Sequence, residues 1–314
     1  MTMGGDAGHD LGGFIEASEA DYYEQVVRRH FRGDGCIVDA GCFIGASTKA
    51  LIRGLDACDP QHDAELPIIA IDRFTASDHY VVDFLAQMGA DVRFGESFLP
   101  EFLRNLGQQA LRVEIRAGDL VQVGRIERTI ELAVIDLAKT PALNGFVLQR
   151  WVPQMVPGHS LIIQQDFYSP TQPWIAHSMA GLLDYVSLEH DKVGESAVFR
   201  LERPIPANVL REATLGWDRR DALPRLDRMI ELLGTRVSAP LRLMRALAFH
   251  GLGHNAKARS LLEEELAQPT APSDQKWEKW LSAAVVAVMP EAFEFNAVLG
   301  QLYWRHGAQR LGHA

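Results

Sequence analysis

Cysteine is scarce in this chain: 314 residues contain only three, Cys36, Cys42 and Cys58. Cys36 and Cys42 flank a glycine turn that follows a predicted strand, a placement that disulfide geometry does not favour. Their spacing, without a suitable histidine, does not match a structural zinc site either. We therefore expect reduced thiols, which are typical of a cytoplasmic protein.

Long apolar runs are also absent, since no stretch approaches the roughly 20 residues that span a bilayer. The first residues, MTMGGDAGHDLGG, have neither the basic start nor the apolar centre of a signal peptide. These features predict no membrane association and a flexible arm over residues 1–15. A helix is predicted from Glu16 to Phe31, with Ser18 as its N-cap.

Positive charge is in short supply. The chain has 31 Lys and Arg against 41 Asp and Glu, a net charge of −10 and an isoelectric point near 5.6. No basic cluster stands out, so nucleic-acid backbones and anionic membranes are poor partners. A small-molecule acceptor or another protein fits this composition better.

The most informative stretch runs from Cys36 to Leu51 and reads CIVDAGCFIGASTKAL. Its pattern changes from strand to helix across Gly41 and Gly45, where the backbone must turn sharply and leave room for a ligand. Asp39 ends the strand and can accept a hydrogen bond from a ligand. No lysine stands where a Walker loop requires it. A tight turn in some other α/β protein is the alternative.

Strand and helix patterns then alternate five times up to Gln164, which predicts a doubly wound, mostly parallel sheet closed by an antiparallel hairpin. Because parallel strands end at the same edge, their terminal residues should meet there. For Asp72 the alternative is a helix cap, and for Asp119 it is a solvated turn. The acidic residues at this edge are Asp39, Asp72, Asp119, Asp136 and Asp166.

Beyond Pro204 the pattern becomes helical, so the expected domains are residues 16–204 and an all-helical domain over 205–314. Ala246 to Leu262 resembles a single tetratricopeptide hairpin with its turn at Gly253. A solenoid needs about three repeats. We expect the helical domain to pack on the first domain or on a sister subunit, giving a homodimer, in preference to forming a peptide groove.

The spacing Asp-x-Gly-x-x-x-Gly resembles the nucleoside-binding loop of class I S-adenosylmethionine-dependent methyltransferases, and the likeness covers Glu16 to Leu201. It implies a Rossmann-like seven-stranded sheet with S-adenosyl-L-methionine as cofactor. The residues that it assigns to the cofactor are Asp39, Gly41, Cys42, Phe43, Gly45, Ser47, Thr48, Asp72, Arg73, Gly118, Asp119 and Asp136.

Within that superfamily, the Asp-x-Phe that starts at Asp72 and the later SFLPEFLRNL look like the macrocin O-methyltransferase group. Asp136 and Lys139 match the Asp-x-x-Lys of catechol O-methyltransferase, which implies Mg²⁺ at Asp136 and Asp166. Two departures weaken that site: Phe167 stands where an Asp or Asn follows, and Ala138 replaces a second Asp. Gln165, water or the substrate would then have to complete the ligands.

Methyl transfer to oxygen requires a positioned and less protonated nucleophile. Lys139 is one candidate base if burial lowers its pKa. Alternatively it orients a hydroxyl, or is only an exposed lysine paired with Asp136. His177 is a second candidate base, with a structural role as its alternative. Gln165, Tyr168 and Trp174 lie just after the fifth strand and would line the acceptor pocket.

Two functions follow from these patterns. The first is an S-adenosylmethionine-dependent methyltransferase that O-methylates a small hydroxylated molecule, such as a sugar or an aromatic diol. The second is a catalytically reduced scaffold that uses its helical C-terminal domain for protein interaction, which the missing carboxylates favour and the intact glycine loop disfavours.

Overall fold

The structure, a computed structural model, describes residues 13–58, 66–220, 222–267 and 275–289. Its contacts divide the chain into two compact units. The first comprises Met1–Phe167 and Leu182–Arg211, and the second comprises Tyr168–Gly181 and Glu212–Ala314. The sequence pattern put the boundary after residue 204 and kept 168–181 with the sheet, whereas the contacts assign 168–181 to the helical unit. Most of the predicted arm lies outside the described residues.

The first unit is built on a seven-stranded sheet of order β3-β2-β1-β4-β5-β7-β6. Neighbouring strands from β1 to β5 are parallel, and β7 is antiparallel to both β5 and β6. The predicted doubly wound sheet with a closing hairpin is therefore confirmed. The strands are β1 Cys36–Ala40, β2 Ile68–Asp72, β3 Val113–Ala117, β4 Ile130–Ile135, β5 Leu161–Gln164, β6 Val186–Val193 and β7 Ser196–Leu201.

The central strands are buried on both faces, which explains their unbroken apolar sequences. Every residue of β1 and β4 is buried. Ile37 pairs with Leu132, and both belong to the core that α1 and α2 share with one face of the sheet. Their neighbours Val38 and Ala133 point to the opposite face because side chains alternate along a strand.

Helices and strands alternate as the sequence predicts, with small shifts at the ends. Helix α1 does not use the predicted Ser18 cap. Its N-cap is Glu16, and Glu16 and Glu19 form a reciprocal capping box in which Glu16 N donates to Glu19 Oε2 over 3.1 Å. The helices up to the hairpin and just after it are α1 Ala17–His30, α2 Ala46–Asp56, α3 His79–Gln87, α4 Leu99–Leu106, α5 Leu120–Val123, α6 Pro141–Trp151, α7 Pro173–Gly181 and α8 Ala207–Ala213.

Glu19 is a buried carboxyl between α1 and the β6–β7 hairpin. Glu19 is only 2% exposed, and Ser196 Oγ donates to its Oε1 over 3.2 Å. Burial raises the pKa of Glu19 to about 7 from its ordinary 4.5, despite hydrogen bonds that act in the opposite direction. The folded state therefore favours the protonated, neutral form of the Glu19 carboxyl.

This carboxyl should make stability depend on pH. A raised folded-state pKa contributes stability below pH 4.5, and that contribution is lost as pH rises through about 7. The shift corresponds to at most about 3 kcal/mol in the free energy of unfolding. We expect Glu19→Gln to remove this fall between pH 5 and 8, as measured by urea unfolding at each pH. Asp21→Asn, at an exposed position of the same helix, is the control and should preserve it; identical profiles for all three proteins would contradict the prediction.

The second unit is helical, as predicted. Ala239, Leu243, Ala258 and Leu262 form its core together with apolar residues of the last described helix. Arg242 makes an ion pair with Glu265, with Nη2 and Oε2 at 3.1 Å. None of the helices in the described ranges is long and apolar enough to cross a membrane. The remaining helices are α9 Ala222–Val237, α10 Ala239–Gly251, α11 Asn255–Ala267 and α12 Gln275–Val288.

Candidate active site

The strand order puts a crevice at the carboxyl ends of β1 and β4. From β1 the sheet continues through β2 and β3 on one side and through β4 and β5 on the other, and open α/β sheets bind ligands where the order reverses in this way. Gly41 follows β1 and Asp136 follows β4. Gly41 N donates to Ile71 O over 2.8 Å, and Asp136 N donates to Ala40 O over 2.7 Å. The first bond joins the ends of β1 and β2, and the second joins the ends of β1 and β4.

Gly41 is required by both its conformation and its surroundings. Its φ of 87° lies in the left-handed region, and a Cβ there would be 2.8 Å from both the carbonyl carbon and the oxygen of Asp136. Gly45 also has a positive φ, of 93°, and its Cβ would lie 2.3 Å from Leu106 Cδ1. The atoms that crowd these glycines thus belong to the protein itself, so the glycine pattern is explained in part by packing.

Asp72 joins the glycine loop to the turn after β2. Its Oδ2 accepts from Phe43 N over 2.9 Å, and its Oδ1 accepts from Phe74 N over 2.8 Å. Phe43 and Phe74 both have left-handed φ values, 47° and 50°, which cost free energy in a non-glycine residue. Burial raises the pKa of Asp72, while these backbone donors oppose the shift. Asp72 therefore stabilises two strained turns at the edge of the crevice.

Asp39 is buried at the end of β1. Its Oδ2 accepts from Ser47 Oγ over 3.0 Å and from Thr48 Oγ1 over 2.6 Å. Desolvation raises the pKa of Asp39 to about 6 even though both hydroxyls act against it. The sequence pattern assigned Ser47 and Thr48 to the cofactor, but in the structure their hydroxyls bond to Asp39 and fix the start of α2.

The other predicted cofactor residues differ in position. Cys42 is buried, and the three cysteines are free, as predicted. Gly118 N donates to Asp72 O over 2.9 Å, which brings the end of β3 next to the loop. Asp119 is exposed and caps α5 by accepting from Val121 N over 2.9 Å, which fits its turn alternative; its role in binding the cofactor stays a prediction. Arg73 is exposed at the same edge.

An aromatic residue that the sequence patterns did not single out lies over the glycine loop. The ring centroid of Phe14 is 4.8 Å from that of Phe43, 4.0 Å from that of Phe84 and 5.1 Å from that of Tyr80. The crevice left between Gly13–Ile15 and the loop has a volume of about 30 Å³, roughly the share of one water molecule in the liquid. The sequence signal that could have indicated this contact is the apolar pair Phe14-Ile15, which lies within the segment predicted to be a flexible arm.

Lys139 lies between the two carboxylates that were the predicted metal ligands. Its ammonium donates to Asp136 Oδ1 and to Asp166 Oδ2. Desolvation lowers the pKa of Lys139, but the two carboxylates outweigh it and the net shift is upward. This shift is opposite to the one that a neutral lysine base requires, so the ion pairs fit the alternative in which Lys139 is paired with Asp136, and its role as a base stays a prediction. Burial raises the pKa of Asp136 to about 6, with Lys139 opposing that rise and the charge of Asp166 adding to it.

The structure does not support the predicted Mg²⁺ site. Over the described ranges, no three His, Cys, Asp or Glu side chains are arranged to hold a metal ion. Asp136 and Asp166 instead have an ammonium between them, and a hard divalent cation needs more oxygen ligands than this pair supplies. Asp166 keeps a left-handed φ of 56°. The residues present thus fit a lysine ion-pair triad and do not fit a magnesium centre.

The predicted acceptor residues are divided between the units. Gln165 lines the small crevice with Asp39 and Asp136, and Tyr23 Oη lies 3.5 Å from its Oε1. Tyr168, Trp174 and His177 are buried and belong to the second unit.

His177 is enclosed within the second unit. Its Nε2 lies 2.9 Å from Leu215 O and 2.7 Å from Arg225 Nη1. These contacts fit the structural alternative for this histidine, and its role as a base stays a prediction.

Comparison with solved structures finds likeness at low sequence identity. The chain is similar to the structure of the pyocyanin biosynthetic protein PhzM, with 14% sequence identity, a TM-score of 0.34, and coverage of 59% of this chain and 55% of that chain. The match thus spans about half of that neighbour's length. No family model matches the sequence, and no curated protein matches it. At this level of similarity, the likeness by itself carries no information about chemistry.

Proposed function

We propose that the first unit is an S-adenosylmethionine-dependent methyltransferase that O-methylates a small hydroxylated molecule, such as a sugar or an aromatic diol. The observation that carries this proposal is the crevice at the reversal of strand order, where Asp39, Asp72 and Asp136 end neighbouring strands around Gly41. The pKa of each of the three carboxyls is raised by desolvation. Such perturbed groups concentrate at functional sites.

The cofactor would be held by the loop and the ends of β1, β2 and β4. When bound, S-adenosylmethionine supplies a methyl group on a sulfonium sulfur. Asp72 retains acceptor capacity beyond its two backbone donors, since each carboxylate oxygen accepts more than one hydrogen bond, and it would bind ribose hydroxyls. A crevice of about 30 Å³ is far too small for a nucleoside. The proposal therefore requires Gly13–Ile15 to move off the loop.

Lys139 would act on the acceptor. Its ammonium is held by Asp136 and Asp166 and is half exposed, so a donor hydrogen is available to an acceptor oxygen. A fixed cation lowers the cost of ionising a hydroxyl next to it. Asp136, with a pKa of about 6, would take the proton. No step requires a metal ion, in keeping with the poor fit of the site to magnesium.

Calorimetry with S-adenosylmethionine tests the proposal directly. We expect the native protein to bind it and Asp72→Asn to bind at least about tenfold more weakly, because an amide accepts at only one oxygen. Phe14→Ala should bind more tightly, because fewer aromatic contacts hold Gly13–Ile15 over the loop. Asp78→Asn is a matched control: Asp78 accepts from Val81 N over 2.8 Å as an exposed helix cap, a role that asparagine keeps.

The second candidate is the catalytically reduced scaffold with a protein-binding helical domain. It is favoured by the filled crevice and by the ion pairs that occupy the Lys139 ammonium. Absence of heat from S-adenosylmethionine with both the native protein and Phe14→Ala would reject the methyltransferase and leave this scaffold. Binding by Phe14→Ala alone would mean that the loop is competent and that Gly13–Ile15 block it.

A further inference from the structure

The second unit contains a cavity that is separate from the crevice described above. Its volume is about 340 Å³, which lies in the range of small-molecule sites. All of its lining residues belong to the second unit. The walls come from the start of α7, the loop before α9, and the helices α9 and α10. The cavity is thus a feature of the helical unit alone.

The walls are mainly apolar. Leu226 and Met244 are buried, and Leu247 and Pro173 are partly buried. The volume equals that of about eleven water molecules at roughly 30 Å³ each, but such a lining offers few hydrogen bonds to water. The atoms that line an unfilled apolar cavity also lack dispersion contacts on one side. An apolar molecule would recover those contacts.

The mouth is open at the end of α10. Gly251 is the last residue of that helix, and a Cβ built there would meet no heavy atom of the described residues within 4 Å. Trp217 is half-buried in the lining and makes an edge-to-face contact with Trp174, with ring centroids 5.3 Å apart. An aromatic guest can add to this arrangement through the same offset or edge-to-face geometry.

The charges in the lining decide the polarity of the ligand. Asp218 and Arg219 are adjacent and carry opposite charges, and the third titratable residue of the lining is His177, whose Nε2 lies 2.7 Å from Arg225 Nη1. The opposite charges of Asp218 and Arg219 offset each other, so these two residues favour neither an anion nor a cation.

We propose that this cavity binds a neutral aromatic small molecule of one to three rings, with Trp217 and Met244 as its principal contacts. His177, which the sequence patterns offered as a second base, is one of the lining residues, and all of them belong to the second unit. Binding of an aromatic probe is measured without methyl transfer, so it is independent of the proposed methyltransferase function.

The neutral dye N-phenyl-1-naphthylamine is a suitable probe, read by its own fluorescence and by quenching of tryptophan emission. We expect saturable binding at one site per native chain. Leu247→Trp should weaken it at least tenfold, because the larger side chain fills the cavity. Leu232→Trp is the matched control, since Leu232 is an exposed leucine of α9 outside the lining, and it should bind as the native protein does.

A second variant keeps the test decisive if Leu247→Trp does not fold. Gly251→Leu adds a side chain at a lining residue in a helical position where a Cβ meets no atom of the described part of the chain, so it should fold and still weaken binding at least tenfold. Circular dichroism of both variants checks the helical unit. The proposal is overturned if the dye shows no saturable binding, or if a folded Gly251→Leu binds it as the native protein does.

Discussion

Gly41→Ala is expected to destabilise the first unit by about 3 kcal/mol and to abolish measurable binding of S-adenosylmethionine. An L-residue in the left-handed region costs about 1–2 kcal/mol. Overpacking adds about 1–3 kcal/mol, because the new Cβ would lie 2.8 Å from the backbone of Asp136, which pairing of β1 with β4 holds in place. Relief of that clash must push apart the two strand ends that form the crevice. Urea unfolding and calorimetry measure the two effects.

Gly89 offers a control that isolates the clash from the backbone strain. Its φ is 82°, close to the 87° of Gly41, but among the residues that the structure describes a Cβ at Gly89 would meet no heavy atom within 4 Å. Gly89→Ala should therefore lose only about 1–2 kcal/mol and should bind the cofactor normally. If the two variants lost equal stability, the close approach of Gly41 to Asp136 would not be what requires glycine there.

Lys139→Met is expected to reduce methyl transfer by roughly a hundredfold or more while cofactor affinity stays within about twofold. Removing one preorganised donor from a developing oxyanion typically has a rate effect of that size. Methionine keeps most of the length of the side chain and removes only the charge and its donors. The measurement is initial rate with whichever sugar or aromatic diol the native protein methylates, alongside calorimetry with S-adenosylmethionine.

An acceptor-independent measurement accompanies this variant. Lys139 acts to lower the pKa of Asp136 against desolvation and against the charge of Asp166, so Lys139→Met should raise that pKa further in a carboxyl NMR titration. Lys257→Met, at an exposed position of α11, is the control and should change neither the rate nor the titration. Full activity in Lys139→Met would mean that the lysine has no part in the mechanism. If the rate of the native protein depended on added Mg²⁺, the metal ion and not the Lys139 ammonium would be the cation of the site.

The sequence correctly predicted that residues far apart in the chain lie close together where the geometry of a parallel sheet requires it. Parallel strands of one sheet end at one edge, so Asp39, Asp72 and Asp136 were expected to be neighbours and are. The pairing of Lys139 with Asp136 was also foreseeable, since the two are separated by three residues. The bridge from Lys139 to Asp166 was not, because it depends on how far β4 and β5 extend and on the left-handed backbone of Asp166.

Local patterns failed where long-range packing decides the role of a side chain. Phe14 looked like part of a flexible arm, yet its contacts are made with Phe43, Tyr80 and Phe84, which come from the glycine loop and α3. Ser47 and Thr48 looked like ligand donors, but the burial of Asp39 gives their hydroxyls an internal partner. Neither burial nor partner can be read from a local pattern.

By itself, the sequence determined the class of the fold: the alternation of buried strands and helices, the closing hairpin and the helical second part. These follow from hydrophobic periodicity and from turn residues, which act over a few positions. Tertiary structure alone decided the charge of Lys139, the neutral acid form favoured at Glu19, the volume left above the glycine loop and the assignment of 168–181 to the helical unit. Each of these depends on desolvation and on charges or atoms brought close from distant parts of the chain, and the free energies involved exist only once the chain has folded.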